Sequence, residues 1–296
     1  MTELGIPMVA QRRSKSLRRI AIRLRRSVSA VLLLLVMVFV LLPVLMMLAF
    51  SLRSAASFDA GVFGFPVHPA WGNYVSVLKG MHYARSVANT LAITVPAAAL
   101  TVVAGSLCAW ALARHVRRWT VLLYALFVAG LAAPGAIFVL VTPLYLLLRD
   151  VGLINTHQGL ILVYTALNLP LAVFFFSSFL RSIPLEIEEA AVCDGASTPR
   201  VFVHIIFPLL RPVSATLAIF VTLSVWNDLV MPLVMLSGAS KTTVTLSAYS
   251  YIGTYGQFSP AQLFPAMVLA SLPLLIVFLA LQRHIIAGML GGAVKG

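Results

Sequence analysis

Charged residues are scarce in this chain. Only 10% of its 296 residues are Asp, Glu, Lys or Arg, whereas about a quarter of a soluble domain is charged. In contrast, 61% of the residues are hydrophobic, and they lie in uncharged stretches of the length that crosses a bilayer, about 20 residues. The composition therefore argues against a soluble domain and predicts a membrane protein.

Cysteine is also scarce. Cys108 lies in a hydrophobic stretch and Cys193 in a polar loop. Neither has a nearby cysteine partner or a histidine at metal-ligand spacing, so we expect no disulfide and no metal site.

Acidic residues are outnumbered. The chain has 8 acidic and 21 basic residues, which gives a formal net charge of +13. On a soluble chain this excess would suggest a nucleic-acid partner. Here the basic residues flank hydrophobic segments, so membrane topology explains them better and we expect no nucleic acid.

Hydropathy predicts an all-α fold with six membrane-spanning helices. The apolar run of the first is too long for a cleaved signal peptide, whose apolar core has about 7–15 residues. Prolines and glycines are expected to interrupt or kink the later spans, either for packing or around a pathway. The six predicted spans are Val28–Phe50, Val87–Ala113, Trp119–Leu148, Gly159–Leu180, Pro212–Leu236 and Leu263–Leu281.

The basic residues predict the orientation. With the N-terminus inside, 16 of the 21 Lys and Arg residues fall on the cytoplasmic side, which agrees with the positive-inside rule. We therefore expect a multi-pass membrane protein with both termini in the cytoplasm. The predicted organisation is a basic segment (1–27), a membrane domain (28–284) with outer loops at about 52–86 and 237–261, and a cytoplasmic tail (285–296).

The loop between the fourth and fifth spans, residues 181–211, is the most informative segment. It holds four of the eight acidic residues. Pro184 and the glutamates after it suit the first turn of a helix, and Gly195 suits its end. Thr198 and Pro199 then predict the start of a second helix. On that helix, one face is predicted to carry Val201, Phe202, Ile205, Ile206 and Leu209.

This loop resembles the EAA loop of ABC importer permeases. Glu189-Ala190-Ala191 is followed by Gly195 and, nine residues later, by Ile205-x-Phe207-Pro208, in which Phe207 replaces the usual leucine. We call residues 181–211 the EAA loop. The carbohydrate-uptake branch is indicated by Asp194-Gly195-Ala196-Ser197, Asn73-Tyr74, Asn89-Thr90 and Trp226-Asn227-Asp228. The C-terminal sequence, with Gly291-Gly292-Ala293-Val294-Lys295-Gly296, is similar to that of maltose-type (MalG-like) permeases.

The resemblance implies the type I importer permease fold, a location in the bacterial plasma (inner) membrane, and a set of partners. These are a second, non-identical permease, two ATPase subunits that bind ATP and magnesium, and an extracytoplasmic solute-binding protein. This chain itself is then a non-catalytic subunit without a cofactor. It lacks the sequence G-x-x-x-x-G-K-[ST], so it has no phosphate-binding loop of that kind.

The resemblance also implies roles for particular residues. The helix within the EAA loop would couple to the ATPase: Glu189 would make polar contacts, the two alanines would allow close approach, and Gly195 would form the bend. A C-terminal tail that reaches the ATPase would use Gly292 and Lys295. The residues expected to couple to the ATPase are Glu186, Glu189, Ala190, Ala191, Asp194 and Gly195.

Asp228 is an acidic residue within a predicted span, where a charge costs roughly 2.5–3.5 kcal/mol on insertion scales. Trp226, Asn227 and Asp228 are therefore candidates to line a substrate path. The alternative is that Asp228 makes a hydrogen bond between helices.

The cargo is less defined. Within this branch, di- and oligosaccharides, glycerol phosphate and other polyols are all possible substrates. A secondary transporter is a weaker alternative, because such proteins usually show several carboxylates at mid-membrane and paired repeats.

Overall fold

The fold was analysed in a computed structural model. It describes residues 8–59, 61, 64, 66, 68–115, 118–131, 137–252 and 259–293. Side chains are described in these ranges from residue 28 to residue 279, apart from those of Asp59 and Ile137.

Every regular element in the described ranges is helical. The α-helices are α1 (Met8–Ser51), α2 (Ala55–Asp59), α3 (Gly72–Gly80), α4 (Tyr83–Arg114), α5 (Arg118–Gly130), α6 (Ile137–Asp150), α7 (His157–Leu180), α8 (Glu186–Cys193), α9 (Thr198–Val201), α10 (Phe207–Leu209), α11 (Arg211–Asn227), α12 (Val230–Met235), α13 (Val244–Tyr249) and α14 (Pro260–Ala293). A π-helical turn, Phe202–Ile206, joins α9 to α10, and a 3₁₀ turn, Ser250–Ile252, follows α13.

Residues 1–70 form one compact unit. Its main element is α1, whose segment Val28–Ser51 has a mean hydropathy of 3.2 and is long enough to cross a membrane. Leucine and valine side chains along most of this segment are exposed, as expected of a helix surrounded by lipid. Arg53 follows the helix and is buried, with its guanidinium 4.3 Å from the ring centroid of Phe58 and donating to the carbonyl oxygen of Gly61 at 2.6 Å.

Residues 71–296 form the second unit, built around the contact between α4 and α7. Small residues allow these helices to approach closely: a Cβ atom added at Gly105 would collide with the Cβ of Ala172. Leu160 and Phe176 of α7 and Leu217 of α11 are fully buried in the core beside this contact. The core therefore lies where α4, α7 and α11 meet.

Three helices of the second unit agree closely with predicted spans. These are α4, α7 and the Pro260–Leu279 part of α14, each long and apolar enough to cross a membrane. The third predicted span coincides with two shorter helices, α5 and α6, on either side of residues 132–136, which lie outside the described residues together with Pro134 and Gly135.

The fifth predicted span needs correction. It was expected to run over Pro212–Leu236, but α11 ends at Asn227 and the backbone of Asp228 is extended before α12 begins. At its other end, α11 meets the Thr198–Leu209 helical segment at an angle of 73°. The pair can count as one broken span, so four described helices, or five with this pair, could cross a membrane.

Pro170, Pro265 and Pro273 were expected either to interrupt or to kink their spans, and they do not interrupt them. Helix α7 continues through Pro170, and α14 continues through Pro265 and Pro273. A proline removes one backbone donor, but its neighbours can keep the helix intact where the environment satisfies the freed carbonyl. Among the described residues the break in the fifth span falls at Asp228 and Leu229, which precede Pro232 by four and three residues.

Candidate functional site: the EAA loop

The first arm of the EAA loop is α8, which covers Glu186–Cys193. Gly195 has φ of +82°, a left-handed conformation that costs least without a Cβ atom. The N–H of Gly195 donates to the carbonyl of Val192, and the N–H of Ala196 donates to that of Ala191, both at 2.9 Å. These two bonds form a Schellman motif, so the prediction that Gly195 ends the helix is confirmed.

The second arm begins with Thr198 and Pro199, as predicted, although Ser197 is the residue in the cap position. Val201, Phe202 and Ile206 are buried as expected. Leu209 departs from the predicted common face: it is 42% exposed, whereas Leu210 is fully buried. The reason is the π-helical turn between α9 and α10, because the wider turn shifts the inward face by one residue.

The structure separates the predicted coupling residues by exposure. Glu186, Glu189, Ala190, Asp194 and Gly195 are all exposed. They lie along α8 and at the bend after it, so three carboxylates share one accessible segment. Ala191 differs, because it is half-buried and packs against the core of the second unit. The exposed residues are therefore available to a partner, whereas Ala191 also holds α8 against its own chain.

Glu188 is a residue that the sequence reasoning did not single out. It is only 7% exposed and faces the end of α4. Its Oε1 accepts from Nε of Arg114 at 2.8 Å and lies 2.6 Å from Nη2, and its Oε2 accepts from Nε1 of Trp110 at 3.0 Å. The spacing of Trp110 and Arg114, four residues apart at the end of a span, places both on one helical face and could have indicated such a site.

Trp110 also contacts the second arm of the loop. Its ring lies 5.2 Å from that of Phe202, and Phe202 lies 5.9 Å from Phe207. The end of α4 therefore contacts both arms of the EAA loop, one through hydrogen bonds and the other through aromatic packing.

The three residues considered for a substrate path have different environments. Trp226 is 3% exposed, and its Nε1 donates to the carbonyl oxygen of Ala270 at 3.1 Å, so its indole serves packing in this structure. Asn227 is exposed and donates to the carbonyl oxygen of Leu223 at 2.9 Å. Of the three, Asn227 is therefore the residue whose side chain is open to a ligand.

The carboxylate of Asp228 has three protein partners. Tyr164 of α7 donates its hydroxyl to Oδ2 at 2.7 Å. The backbone N–H of Val230 donates to Oδ1 at 3.0 Å, and that of Met231 to Oδ2 at 3.3 Å. Asp228 therefore joins α7 to the first turn of α12, which is the helix-to-helix hydrogen bond weighed in the sequence analysis.

A second polar cluster holds the segment 237–252 against the start of α4. Nδ2 of Asn89 donates to the carbonyl oxygens of Ser240 at 2.9 Å and Thr242 at 3.0 Å. Oγ1 of Thr90 accepts from the backbone N–H of Val244 at 2.9 Å. The Asn89-Thr90 pair thus positions this segment, a role that only contacts distant in the sequence reveal.

The predicted tail contacts cannot be located. Gly292 falls within the backbone of α14, where no side chains are described after residue 279, and Lys295 lies outside the described residues. Among the described residues, no group of three or more His, Cys, Asp or Glu side chains could hold a metal ion.

Comparison with known proteins supports this picture. Residues 101–291 match the family described as "Binding-protein-dependent transport system inner membrane component". The chain is 33% identical to the diacetylchitobiose uptake system permease protein NgcG of Streptomyces coelicolor, over 91% of this chain and 89% of that protein. It is 34% identical to the melibiose/raffinose/stachyose import permease protein MelC of Bacillus subtilis, over 86% of this chain and 91% of that protein.

Two further comparisons agree. The chain is 33% identical to the trehalose transport system permease protein SugB of Mycobacterium tuberculosis, over 88% of this chain and 95% of that protein. A chain from the crystal structure of a bacterial ABC transporter involved in the import of the acidic polysaccharide alginate has a similar fold, with a TM-score of 0.71. That likeness covers 88% of this chain and 96% of the other, at 24% sequence identity.

The fold and the EAA loop thus define an all-helical membrane permease with the type I ABC importer architecture. The chain belongs to the family of binding-protein-dependent transport system inner membrane components, and it is the permease component of an ABC importer. The predictions of the fold class and of the family are confirmed.

Proposed function

We propose that this chain forms one half of the membrane pathway of a sugar importer, together with a second, non-identical permease. The chemistry of the cargo is supported by relatives named for diacetylchitobiose, melibiose and trehalose. A di- or oligosaccharide is the proposed cargo, with glycerol phosphate or another polyol as the alternative. The maltose-type, MalG-like assignment of the C-terminal sequence belongs to the same proposal.

The proposed motor is a pair of ATPase subunits that bind ATP and magnesium. This part of the proposal is supported by the exposed acidic segment formed by α8 and the bend after it. The side chains of Glu186, Glu189 and Asp194 are exposed there, on a chain whose net charge is +13. Carboxylates concentrated on one short exposed helix fit a basic groove on a partner protein. Closure of the ATPases moves α8, and the permease then alternates between inward-open and outward-open states.

The proposed topology places the EAA loop and both termini in the cytoplasm. Arg114 and Arg181 line one cavity at the ends of α4 and α7, and Arg181, Arg200 and Arg211 belong to the EAA loop. Such clustering of arginine at one end of the spans favours a cytoplasmic location. The outer segment 237–252 then faces the solute-binding protein.

The experiment is purification of the tagged chain with its partner subunits, followed by reconstitution in lipid vesicles with the solute-binding protein. We expect ATP hydrolysis that increases with the bound sugar, and we expect Glu189→Arg to lose the ATPase subunits because it reverses a charge in the groove. Asp150→Asn, which removes an exposed carboxylate of α6, is the matched control. Retention of the ATPases by Glu189→Arg, together with normal sugar-dependent hydrolysis, would contradict the proposed docking.

A screen of the solute-binding protein against disaccharides, oligosaccharides, glycerol phosphate and polyols identifies the cargo. Selective binding of glycerol phosphate would replace the sugar in the proposal while leaving the permease role intact.

A further inference from the structure

We infer that Glu188 is a positioning residue that fastens α8 to the end of α4, so that a force applied to α8 reaches the membrane-spanning helix. This inference rests on the proposed function of α8. It concerns a residue of the loop that faces inward, in contrast to the exposed carboxylates proposed to meet the ATPase.

Hydrogen bonds connect the side chains of Trp110, Arg114 and Glu188. Both carboxylate oxygens of Glu188 are engaged, one by the guanidinium of Arg114 and the other by the indole N–H of Trp110. Nη2 of Arg114 also donates to the carbonyl oxygen of Ile183 at 3.5 Å, just before α8. Charge-assisted hydrogen bonds are stronger and more directional than neutral ones. We call Trp110, Arg114 and Glu188 the clamp.

The ion pair between Arg114 and Glu188 is largely buried. The side chains of Arg114 and Glu188 are 18% and 9% exposed, so water and salt screen their attraction only weakly. By comparison, the ion pair between Arg149 and Asp150 has side chains that are 56% and 66% exposed. Exposed pairs of this kind contribute little to stability. Of these two ion pairs, the one between Arg114 and Glu188 is therefore the better able to hold two elements in one geometry.

The chain connections on either side of α8 are short. Between α7 and α8 the chain passes through the short segment 181–185, and α8 ends in the bend at Gly195. These connecting segments can change their backbone conformation when α8 is displaced. The clamp links the first turn of α8 directly to the end of α4. Helix α4 in turn packs along α7 through Gly105 and Ala172. Displacement of α8 therefore moves α4 as well.

The two ends of the clamp are not equivalent. Arg114 borders a cavity of about 250 Å³ that is also lined by Arg181 and Ser177, whereas Glu188 faces protein. If Glu188 loses its charge, the guanidinium can be hydrated through this cavity. If Arg114 loses its charge, the carboxylate stays buried without a counter-ion. We therefore expect Arg114→Gln to be more damaging than Glu188→Gln.

The first test is the ratio of sugar transported to ATP hydrolysed in the reconstituted complex. Glu188→Gln is expected to assemble and hydrolyse ATP but to lower this ratio by about fivefold or more, the scale of a lost coupling between sites. The charge exchange of Glu188→Arg with Arg114→Glu is expected to restore part of it. Asp150→Asn is the control that removes a carboxylate outside the clamp. An unaltered ratio in Glu188→Gln overturns the inference.

The second test does not depend on transport. Cys193 at the end of α8 is exposed and accepts a spin label once Cys108 is replaced by serine, and Ala111→Cys places a second label on the exposed side of α4. In the full-length chain, Glu188→Gln is expected to broaden the distance distribution between the labels. An identical distribution with and without the substitution overturns the clamp.

The two tests separate the possible failures. A wild-type complex that neither binds the ATPases nor transports sugar refutes the proposed function, while the label distances still test the clamp. If Glu188→Gln prevents assembly, Trp110→Phe keeps the ring near Phe202 and removes only the N–H donor. It is expected to change the transport ratio and the label distances in the same direction but less, and no change in either overturns the inference.

Discussion

The hydroxyl of Tyr164 donates a hydrogen bond of 2.7 Å to Oδ2 of Asp228, which joins α7 to the break after α11. The same carboxylate receives the first backbone N–H groups of α12. A single acidic side chain thus stabilises the point at which the fifth predicted span departs from a continuous helix.

Removal of this hydrogen bond should destabilise the permease. Tyr164→Phe is expected to lower the free energy of unfolding by about 1–3 kcal/mol, because it leaves a half-buried carboxylate oxygen with one partner fewer. Asp228→Ala should lower the free energy of unfolding further, because it also removes the acceptor for the backbone N–H groups of Val230 and Met231 at the start of α12. Denaturant unfolding in detergent measures both. Tyr249→Phe, at an exposed tyrosine, is the control, and equal stability of all three variants would contradict this account.

The bend at Gly195 gives a prediction about backbone conformation. Gly195→Val should strain the left-handed residue by about 1–2 kcal/mol, whereas Gly195→Asn should be tolerated because asparagine enters this region more readily. A Cβ atom at this position meets nothing within 4 Å, so the effect is one of conformation and not of collision within the chain. Sugar-dependent ATP hydrolysis in the reconstituted complex should fall for valine and persist for asparagine. Unchanged coupling in the valine variant would count against the bend as a mechanical element.

The contact between α4 and α7 predicts a reciprocal exchange. Gly105→Ala should destabilise the fold by about 1–3 kcal/mol, the usual cost of overpacking, because its new methyl group collides with the methyl group of Ala172. The combination with Ala172→Gly should recover most of the loss. Thermal unfolding of the single and double variants decides the matter, with Gly72→Ala as the control, since its Cβ would meet nothing within 4 Å. Failure of the double variant to recover would show that the close approach is not the cause.

The contact between Thr90 and the segment 237–252 gives a local prediction. Thr90→Val keeps the shape of the side chain but removes the acceptor for the backbone N–H of Val244, which is then buried without a partner. The cost of about 1–3 kcal/mol should appear as faster hydrogen exchange in residues 237–249. Thr90→Ser retains the hydroxyl and is expected to exchange like the wild type. Equal protection in the valine and serine variants would refute the role of this hydrogen bond.

Much of the fold could be predicted from the sequence because membrane insertion imposes a simple rule. Apolar stretches of the right length predicted α4, α7 and the apolar part of α14 to within a few residues. The stop at Gly195 was equally predictable, because the left-handed end of a helix strongly favours glycine. Local rules failed at Leu209, where a π-helical turn displaced the helical register by one residue.

The sequence by itself determined, through its composition and hydropathy, that this protein is a helical membrane protein, and the resemblance of residues 181–211 to the EAA loop indicated a permease and the loop that carries the motif. The tertiary structure decided which of three neighbouring glutamates faces inward, because Glu188 is selected by Trp110 and Arg114, more than 70 residues earlier in the chain. It likewise assigned Asp228 to Tyr164, 64 residues away. A buried polar group needs a partner wherever the fold can supply one, and the identity of that partner depends on how the helices pack.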